Sequence, residues 1–135
     1  MTVFVDTSAV YALLDADDAN FRRAERSWNE LLLGQEKMIT SNYVALELCA
    51  LLQNRLGLGA VRDFQESVQP LLSVHWIDGD LHQSGVSAML AAGKRDLSLV
   101  DCTSFEIMRR LGVRKVFTFD THFRKQGFEC LPKRS

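Results

Sequence analysis

Two acidic residues stand directly after short apolar runs that have the composition of β-strands. Asp6 follows the run VFV at 3–5, and Asp120 follows VFTF at 116–119. In open sheets of parallel strands, ligands bind beyond the carboxyl ends of the strands. We therefore expect both carboxylates at the same edge of a sheet, where they can take part in chemistry.

Two further acids fall within predicted helices that are rich in apolar residues. Glu47 stands between two leucines, and Asp101 stands between a valine and a cysteine. An ionised carboxylate in apolar surroundings is costly unless it is paired or bound to a metal ion. The pattern predicts that both side chains point towards the sheet.

Four carboxylates gathered without cations would repel one another and take up protons. Mg²⁺ and Mn²⁺ prefer hard oxygen ligands, and Mg²⁺ usually keeps several waters. A divalent ion held by such a cluster can clamp phosphate oxygens and lower the pKa of an attacking water. The four acids therefore indicate metal-dependent hydrolysis of a phosphodiester.

Each acid also has an ordinary structural interpretation. Asp6 or Asp101 alone could cap a helix or form a turn. Glu47 alone could pair with Arg55 or Arg110. The joint placement of the acids favours a shared site over these separate interpretations.

The cysteines and histidines do not indicate a zinc site, because the sequence has no CxxC or HxxxH pair. Cys49, Cys102 and Cys130 are odd in number and far apart, so we expect reduced thiols. Among the histidines only His122 is near a proposed site residue, which weakens a metal-free mechanism based on two histidines.

The elements that must position the acids alternate between short β-rich runs and longer segments of helical period. This order is typical of a parallel sheet with helices on both faces. The predicted strands cover 2–5, 37–40, 74–77 and 115–119, with a fifth, weaker run at 129–131, and the predicted helices cover 8–14, 20–33, 42–56, 60–68, 81–92 and 99–111. Because no linker or repeat interrupts them, we expect a single three-layer α/β domain over residues 1–135.

The composition, with 47% hydrophobic and 24% charged residues, is that of a compact soluble domain. No apolar stretch approaches the roughly 20 residues needed to span a bilayer, so we expect a cytoplasmic protein without a membrane segment. A net charge of −1 does not by itself indicate nucleic-acid binding. From Arg114 onward, however, the sequence has six basic residues and two acidic ones, so this part of the chain carries a local excess of positive charge.

Four segments of the chain, taken together, resemble the PIN-domain family, especially the VapC-type toxins of toxin-antitoxin pairs. The segments are VFVDTS at 3–8, TSNYVALE at 40–47, LSLVDC at 97–102 and FTFDTHF at 117–123. Each contains one of the four acids, and their order and spacing extend over essentially the whole chain.

The resemblance implies a PIN-like α/β/α fold and a Mg²⁺- or Mn²⁺-dependent endoribonuclease. It implies that Asp6 and Asp101 are the most secure metal ligands, and that Glu47 and Asp120 complete the site directly or through water. By position in the motifs, Thr7, Ser8 and Thr118 are expected to orient a phosphate or a water.

The same resemblance implies two protein partners, a cognate antitoxin that covers the active-site groove and a second copy of the chain. The apolar helices at 42–56 and 60–72 are candidates for the homodimer surface. The basic residues Arg22, Arg23 and Arg26 could meet RNA phosphates, acidic antitoxin residues or only solvent.

Several residues near these motifs have plainer interpretations. Asp96 is expected in a solvent-facing loop rather than among the ligands. The aromatic side chains that could stack on bases are more typical of core or interface at their spacing: Phe21, Trp28, Tyr43 and Trp76.

Two other functions within the family remain open from the sequence. One is an RNA-processing nuclease without an antitoxin, and the other is a non-catalytic module that binds RNA or protein. A phosphatase with an aspartyl nucleophile is disfavoured because Asp6 is followed by Thr7 and Ser8, which leaves no second acid of a DxD motif.

Overall fold

The sheet is parallel throughout the part of the chain that the computed structural model describes, residues 1–134. Its strands are β1 (Thr2–Val5), β2 (Lys37–Ser41), β3 (Ser73–His75), β4 (Lys115–Phe117) and β5 (Glu129–Leu131). They lie in the order β3-β2-β1-β4-β5, and every neighbouring pair is parallel. The predicted fold class is confirmed.

Helices connect the strands, as a parallel sheet requires, because a parallel pair cannot be joined by a tight hairpin. They are α1 (Thr7–Leu14), α2 (Phe21–Leu33), α3 (Asn42–Arg55), α4 (Leu58–Asp63), α5 (Gly79–Ala92), α6 (Leu99–Leu111) and α7 (Thr121–Lys125). Within residues 1–134, no helix has the length and apolar character needed to cross a membrane.

The chain reverses its direction of travel across the sheet at β1. From β1 it adds β2 and β3 on one side, and it then crosses to add β4 and β5 on the other side. β1 and β4 are therefore adjacent, with Val5 opposite Phe117. Asp6 follows the end of β1, and Asp120 lies three residues beyond the end of β4. This reversal point is where open α/β sheets bind their ligands.

Two hydrophobic cores lie on the two faces of the sheet because successive strand side chains point in opposite directions. Val3 and Val5 belong to one core, which α1, α2 and α3 cover. Phe4 belongs to the other, which α5, α6 and α7 contribute to. The three-layer arrangement follows from this alternation. Trp28 is in the first core, as expected, whereas Trp76 is 73% exposed.

Three predicted elements differ from those observed. β3 and β4 are shorter than predicted, at Ser73–His75 and Lys115–Phe117. The predicted helix at 60–68 is instead α4 followed by a π-helical turn, Phe64–Val68, which buries both of its end residues. Helix α7 was not predicted, since five residues offer too little periodicity.

Helices α5 and α6 approach closely at Gly85, a buried residue in the middle of α5. A Cβ atom at this position would lie 2.5 Å from Thr103 Cγ2 and 3.2 Å from Leu99 Cδ1, both on α6. No alanine fits there without movement of α6. Since α6 also carries Asp101, the absence of a side chain at Gly85 helps to fix the position of that acid.

We predict that Gly85→Ala lowers the free energy of unfolding by about 1 to 3 kcal/mol, the usual cost of overpacking a core. Urea unfolding followed by circular dichroism measures it. Gly79→Ala on the same helix is the matched control, because nothing lies within 4 Å of a Cβ atom there. Thr103→Ser, which removes only the clashing methyl, should restore stability in the Gly85→Ala background; no rescue would contradict the proposed clash.

Candidate active site

Asp6 is the most buried of the four acids, with 3% of its surface exposed. It is the residue before α1, and its Oδ2 accepts hydrogen bonds from Ser8 Oγ at 2.8 Å and Thr118 Oγ1 at 2.8 Å. A longer contact of 3.4 Å joins Ser8 N to the same oxygen. Within residues 1–134, Oδ1 has no hydrogen-bond partner, so this oxygen is available to a ligand.

The two hydroxyls that hold Asp6 are themselves oriented by the backbone. Ser8 Oγ accepts from Phe119 N at 2.9 Å, and Thr118 Oγ1 accepts from Asp120 N at 2.9 Å. Each hydroxyl has a single proton, which is then free to point at Asp6. The chain after β1 and the chain after β4 are thereby tied together through one carboxylate oxygen.

Thr7, the first residue of α1, follows Asp6 and is also buried. Its Oγ1 has no hydrogen-bond partner in the described part of the chain. Most buried polar atoms are hydrogen bonded, and an exception calls for a missing water, ion or ligand. This atom therefore supports a polar ligand beside Asp6.

Asp101 is placed by a reciprocal cap at the start of α6. Asp101 N donates to Ser98 Oγ at 3.1 Å, and Ser98 N donates to Asp101 Oδ2 at 3.1 Å. The cap interpretation of this acid is therefore right, but the cap uses only one carboxylate oxygen. Asp101 is 8% exposed, and it lines the same cavity as Asp6.

Asp120 precedes the short helix α7 and makes a second capping interaction. Its Oδ1 accepts from His122 N at 2.9 Å and lies 2.8 Å from His122 Nδ1. The other ring nitrogen, Nε2, lies 3.2 Å from Asp96 Oδ2. Asp96 is solvent-facing, as expected, with its side chain 76% exposed.

His122 lies close to Asp101 as well as to Asp120, the acid that it follows in the sequence. One ligand atom from each of Asp101, Asp120 and His122 lies within 4.8 Å of the others. The signal for this was the DTH spacing at 120–122, where an acid two residues before a histidine can face it across a helix start. The sequence motifs alone did not assign His122 to this cluster.

Glu47, like Asp120, is half-buried, whereas Asp6 and Asp101 are buried. Its surroundings are less apolar than the sequence pattern predicted, since the neighbouring Leu46 is 71% exposed. The alternative partners are otherwise engaged, with Arg110 next to Glu106 at 3.5 Å and Arg55 over the Tyr11 ring at 5.1 Å. Across residues 1–134, Glu47 forms no ion pair, and it lines the cavity of the other three acids.

The cavity has a volume of about 300 Å³ and opens at the reversal point of the sheet. All four predicted acids line it, and so do Thr7 and Ser8, whereas Thr118 supports it from behind through Asp6. Its remaining walls were not predicted from sequence; they are Tyr11, Asp18, Asn20, Leu51, Arg55 and Phe119.

Negative charge outweighs positive charge in the cavity, because Arg55 is the one basic residue among the lining residues that the structure describes. Burial raises the pKa of Asp6 to about 6 from 3.8, while the Thr118 and Ser8 hydroxyls lower it and the charges of Asp101 and Asp120 raise it. Burial also raises the pKa of Asp101, and the charge of Asp120 adds to that. Hard oxygen ligands, an unused oxygen on Asp6 and an unpartnered Thr7 hydroxyl together fit a divalent cation.

A three-layer parallel fold with carboxylates gathered at its reversal point has the architecture of a PIN domain, and the PIN domain family matches residues 3–129. The chain therefore belongs to the PIN-domain family.

Among its relatives is the 23S rRNA-specific endonuclease VapC20 of Mycobacterium tuberculosis, 33% identical over 127 residues, which are 93% of this chain and 95% of the relative. The VapC ribonuclease of Aquifex aeolicus is 25% identical over 94% of this chain and 93% of the relative.

Two solved structures have the same fold. The crystal structure of Mycobacterium tuberculosis VapC20, described as a Sarcin-Ricin loop cleaving toxin, has a TM-score of 0.81 and 32% identity, and covers 93% of this chain and 95% of that one. The FitAcB structure from Neisseria gonorrhoeae has a TM-score of 0.68 with 17% identity and 96% coverage of both chains, a likeness of fold alone.

We predict that Asp6 makes the metal-free protein less stable as pH rises. Its folded pKa is above its unfolded pKa, so the stabilisation is complete below 3.8 and is lost as pH rises through about 6. The linked loss is about 3 kcal/mol. Urea unfolding in EDTA between about pH 4 and pH 8 should show this component in the wild type.

The matched comparison is Asp6→Asn, in which the amide oxygen can still accept from Ser8 and Thr118. This variant should lose the component, whereas Asp17→Asn at an exposed position should keep it. Parallel pH profiles for the wild type and Asp6→Asn would contradict the assignment.

Proposed function

We propose that this protein is a Mg²⁺- or Mn²⁺-dependent endoribonuclease that hydrolyses RNA phosphodiester bonds, and that it is the toxin of a type II toxin-antitoxin pair. The observation that carries the proposal is the convergence of Asp6, Glu47, Asp101 and Asp120 on one cavity. The relative named as a 23S rRNA-specific endonuclease supports RNA as the substrate.

Asp6 and Asp101 are the residues proposed to hold the metal, and Glu47 and Asp120 complete the site directly or through water. When bound, the ion neutralises phosphate oxygens and makes a water molecule more acidic. Asp6 contributes a rigid oxygen because Ser8 and Thr118 fix its side chain. Glu47 has no ion-pair partner in residues 1–134, so it is free to orient the attacking water at the cavity rim.

In this mechanism no side chain becomes attached to the substrate. The water attacks phosphorus, the bond to the leaving oxygen breaks, and a carboxylate at the rim, Glu47 or Asp120, accepts a proton of the water. The leaving oxygen takes up a proton from solvent and departs as a hydroxyl group. His122 holds Asp120 in place through the contact between Nδ1 and Oδ1.

The proposed partners follow from the same comparison. The solved VapC20 structure is described as that of a toxin, which supports a cognate antitoxin for this chain. A ribosomal RNA substrate, as named for that relative, would place the activity in the cytoplasm.

A homodimer is the proposed assembly. Each of the two segments proposed for its surface, 42–56 and 60–72, contains an exposed large apolar side chain, Leu46 at 71% and Leu71 at 48% exposure, and Leu58 between the segments is 65% exposed. Size-exclusion chromatography with light scattering measures the assembly state.

We predict that Asp6→Asn and Asp101→Asn each reduce RNA cleavage in Mn²⁺ by more than about 100-fold. Loss of a residue that merely orients a ligand typically costs about 10- to 100-fold, so loss of a ligand should cost more. Both variants should also lose the increase in melting temperature that Mn²⁺ gives the wild type. Asp17→Asn is the control, and full activity in both site variants would refute the mechanism.

This experiment also separates the proposal from a non-catalytic PIN module. A module that had lost its metal would show neither Mn²⁺ binding nor metal-dependent cleavage in the wild type. An RNA-processing nuclease without an antitoxin would cleave, but it would not be neutralised by a small protein encoded beside it.

We predict that Thr118→Val reduces Mn²⁺ affinity or cleavage by about 10- to 100-fold, because Asp6 loses one of its two orienting hydroxyls. Titration of Mn²⁺ against melting temperature and cleavage kinetics give the two readouts. Thr2→Val, at the start of β1, is the control. An unchanged Mn²⁺ affinity and rate in Thr118→Val would show that the hydroxyl bridge has no role in the site.

A further inference from the structure

A second feature beside the active site is a row of arginines along two adjoining cavities. The smaller cavity, of about 140 Å³, is lined by Phe119 and Asp120, which it shares with the acidic cavity. Its basic walls are Arg23, Arg124 and Arg134. The chain thus places three arginines directly next to its acidic cluster.

The larger cavity, of about 650 Å³, continues from the smaller one. The two share Arg23 and Pro132, and the larger adds Arg26 and Lys133. The larger cavity is also lined by two acids, Glu30, which lies two helical turns beyond Arg23 on α2, and Glu36. The smaller cavity has three arginines and a single acid, Asp120, so the excess of positive charge is greatest in the cavity that adjoins the acidic one.

None of these five basic side chains forms an ion pair within residues 1–134. All are exposed, and the ion pairs of the described chain involve other residues. The Arg23 guanidinium lies 5.5 Å from the centre of the Phe119 ring, which holds it towards the shared wall. An arginine in that position keeps its hydrogen-bond donors for an anion.

The acidic cavity creates a need for such a row. A polyanion approaching four carboxylates is repelled, and a bound metal ion compensates for only part of that charge. Arginines beside the cluster can bind the phosphates that flank the reacting one. At that distance the arginines do not compete with the metal ion for the carboxylates. Phosphate contacts of this kind position a nucleic acid without reading its sequence.

We propose that Arg23, Arg124 and Arg134, continued by Arg26 and Lys133, form a binding tract for the RNA backbone on one side of the scissile phosphate. The proposal rests on the proposed ribonuclease function and adds the path of the substrate. An acidic segment of the antitoxin is the alternative occupant of the tract. RNA is favoured because the tract adjoins the catalytic cavity, so an RNA strand bound in that cavity must continue past it.

The test measures binding and cleavage separately. Binding is measured by the fluorescence anisotropy of a fluorescein-labelled single-stranded RNA of about 12 nucleotides over a range of salt concentrations. All variants carry Asp6→Asn in this experiment, so that the RNA is not cleaved. Arg23→Gln and Arg124→Gln together should weaken binding about 10- to 100-fold at low salt. The slope of log K against log salt should fall by about 0.7 for each phosphate that is no longer neutralised by an arginine.

Two controls separate charge from packing. Arg62→Gln removes an exposed arginine on α4 that lines none of the three cavities, and it should leave RNA affinity and salt slope unchanged. Arg23→Lys keeps the charge but loses the planar group over Phe119, and it should retain most of the affinity. An affinity for Arg23→Lys as low as that for Arg23→Gln would point to packing and overturn the charge-based tract.

In the active background, the double variant should raise KM for RNA cleavage about 10-fold or more while kcat changes less. If the wild type cleaves RNA and the double variant has the same KM and affinity, the tract is wrong and the ribonuclease stands. If the wild type cleaves no RNA, the proposed function is wrong, and the anisotropy results judge the tract on their own. Weaker binding of an acidic peptide with unchanged RNA binding would also overturn the proposal.

Discussion

The Asp6 carboxylate is buried between the ends of β1 and β4, and the cost of keeping a charge there shapes the surrounding structure. Its Oδ2 is stabilised by two hydroxyls, which are themselves oriented by the backbone N–H groups of Phe119 and Asp120. Asp6 caps the start of α1 and Asp101 lies in the first turn of α6, so the positive ends of both helix dipoles also favour the carboxylates. These interactions recover only part of the desolvation cost, which is why the pKa stays raised.

The same constraint explains why β4 is so short. To reach Asp6, the Thr118 hydroxyl must turn inwards, and Phe119 N must donate to Ser8 rather than to a neighbouring strand. The predicted strand at 115–119 therefore ends at Phe117. Local composition indicated a strand through Phe119, but the hydrogen bond from Phe119 N to Ser8 Oγ ends the pairing of β4 with β1.

The sequence was sufficient for the parts of the fold that depend on local pattern. Apolar runs and glycine stops located the strands and the long helices, and the position of Asp6 and Asp120 after strands placed them at one edge. Contacts between distant segments could not be obtained in this way. The Asp96–His122–Asp120 chain, the exposure of Glu47 and the basic tract each depend on which surfaces the tertiary fold brings together.

Net charge was the least informative property of the sequence. A value of −1 conceals an acidic cavity and a basic row that share Phe119 and Asp120 as walls. Opposite charges cancel in the sum, although the acidic cluster and the basic row lie side by side as separate groups. The local excess of basic residues after Arg114 was the better indicator, because Arg124, Lys133 and Arg134 come from it.

The cap at the start of α6 gives Asp101 a structural duty that is separate from its proposed role as a metal ligand. Oδ2 closes the first turn of the helix with Ser98 N, and this duty would persist in a lineage that no longer needed catalysis. Glu47 has no such structural duty, because it forms no ion pair within residues 1–134. When selection for activity is relaxed in descendants of this protein, Glu47 should therefore drift first, and an intact Asp101 would be poor proof that such a descendant is still an enzyme.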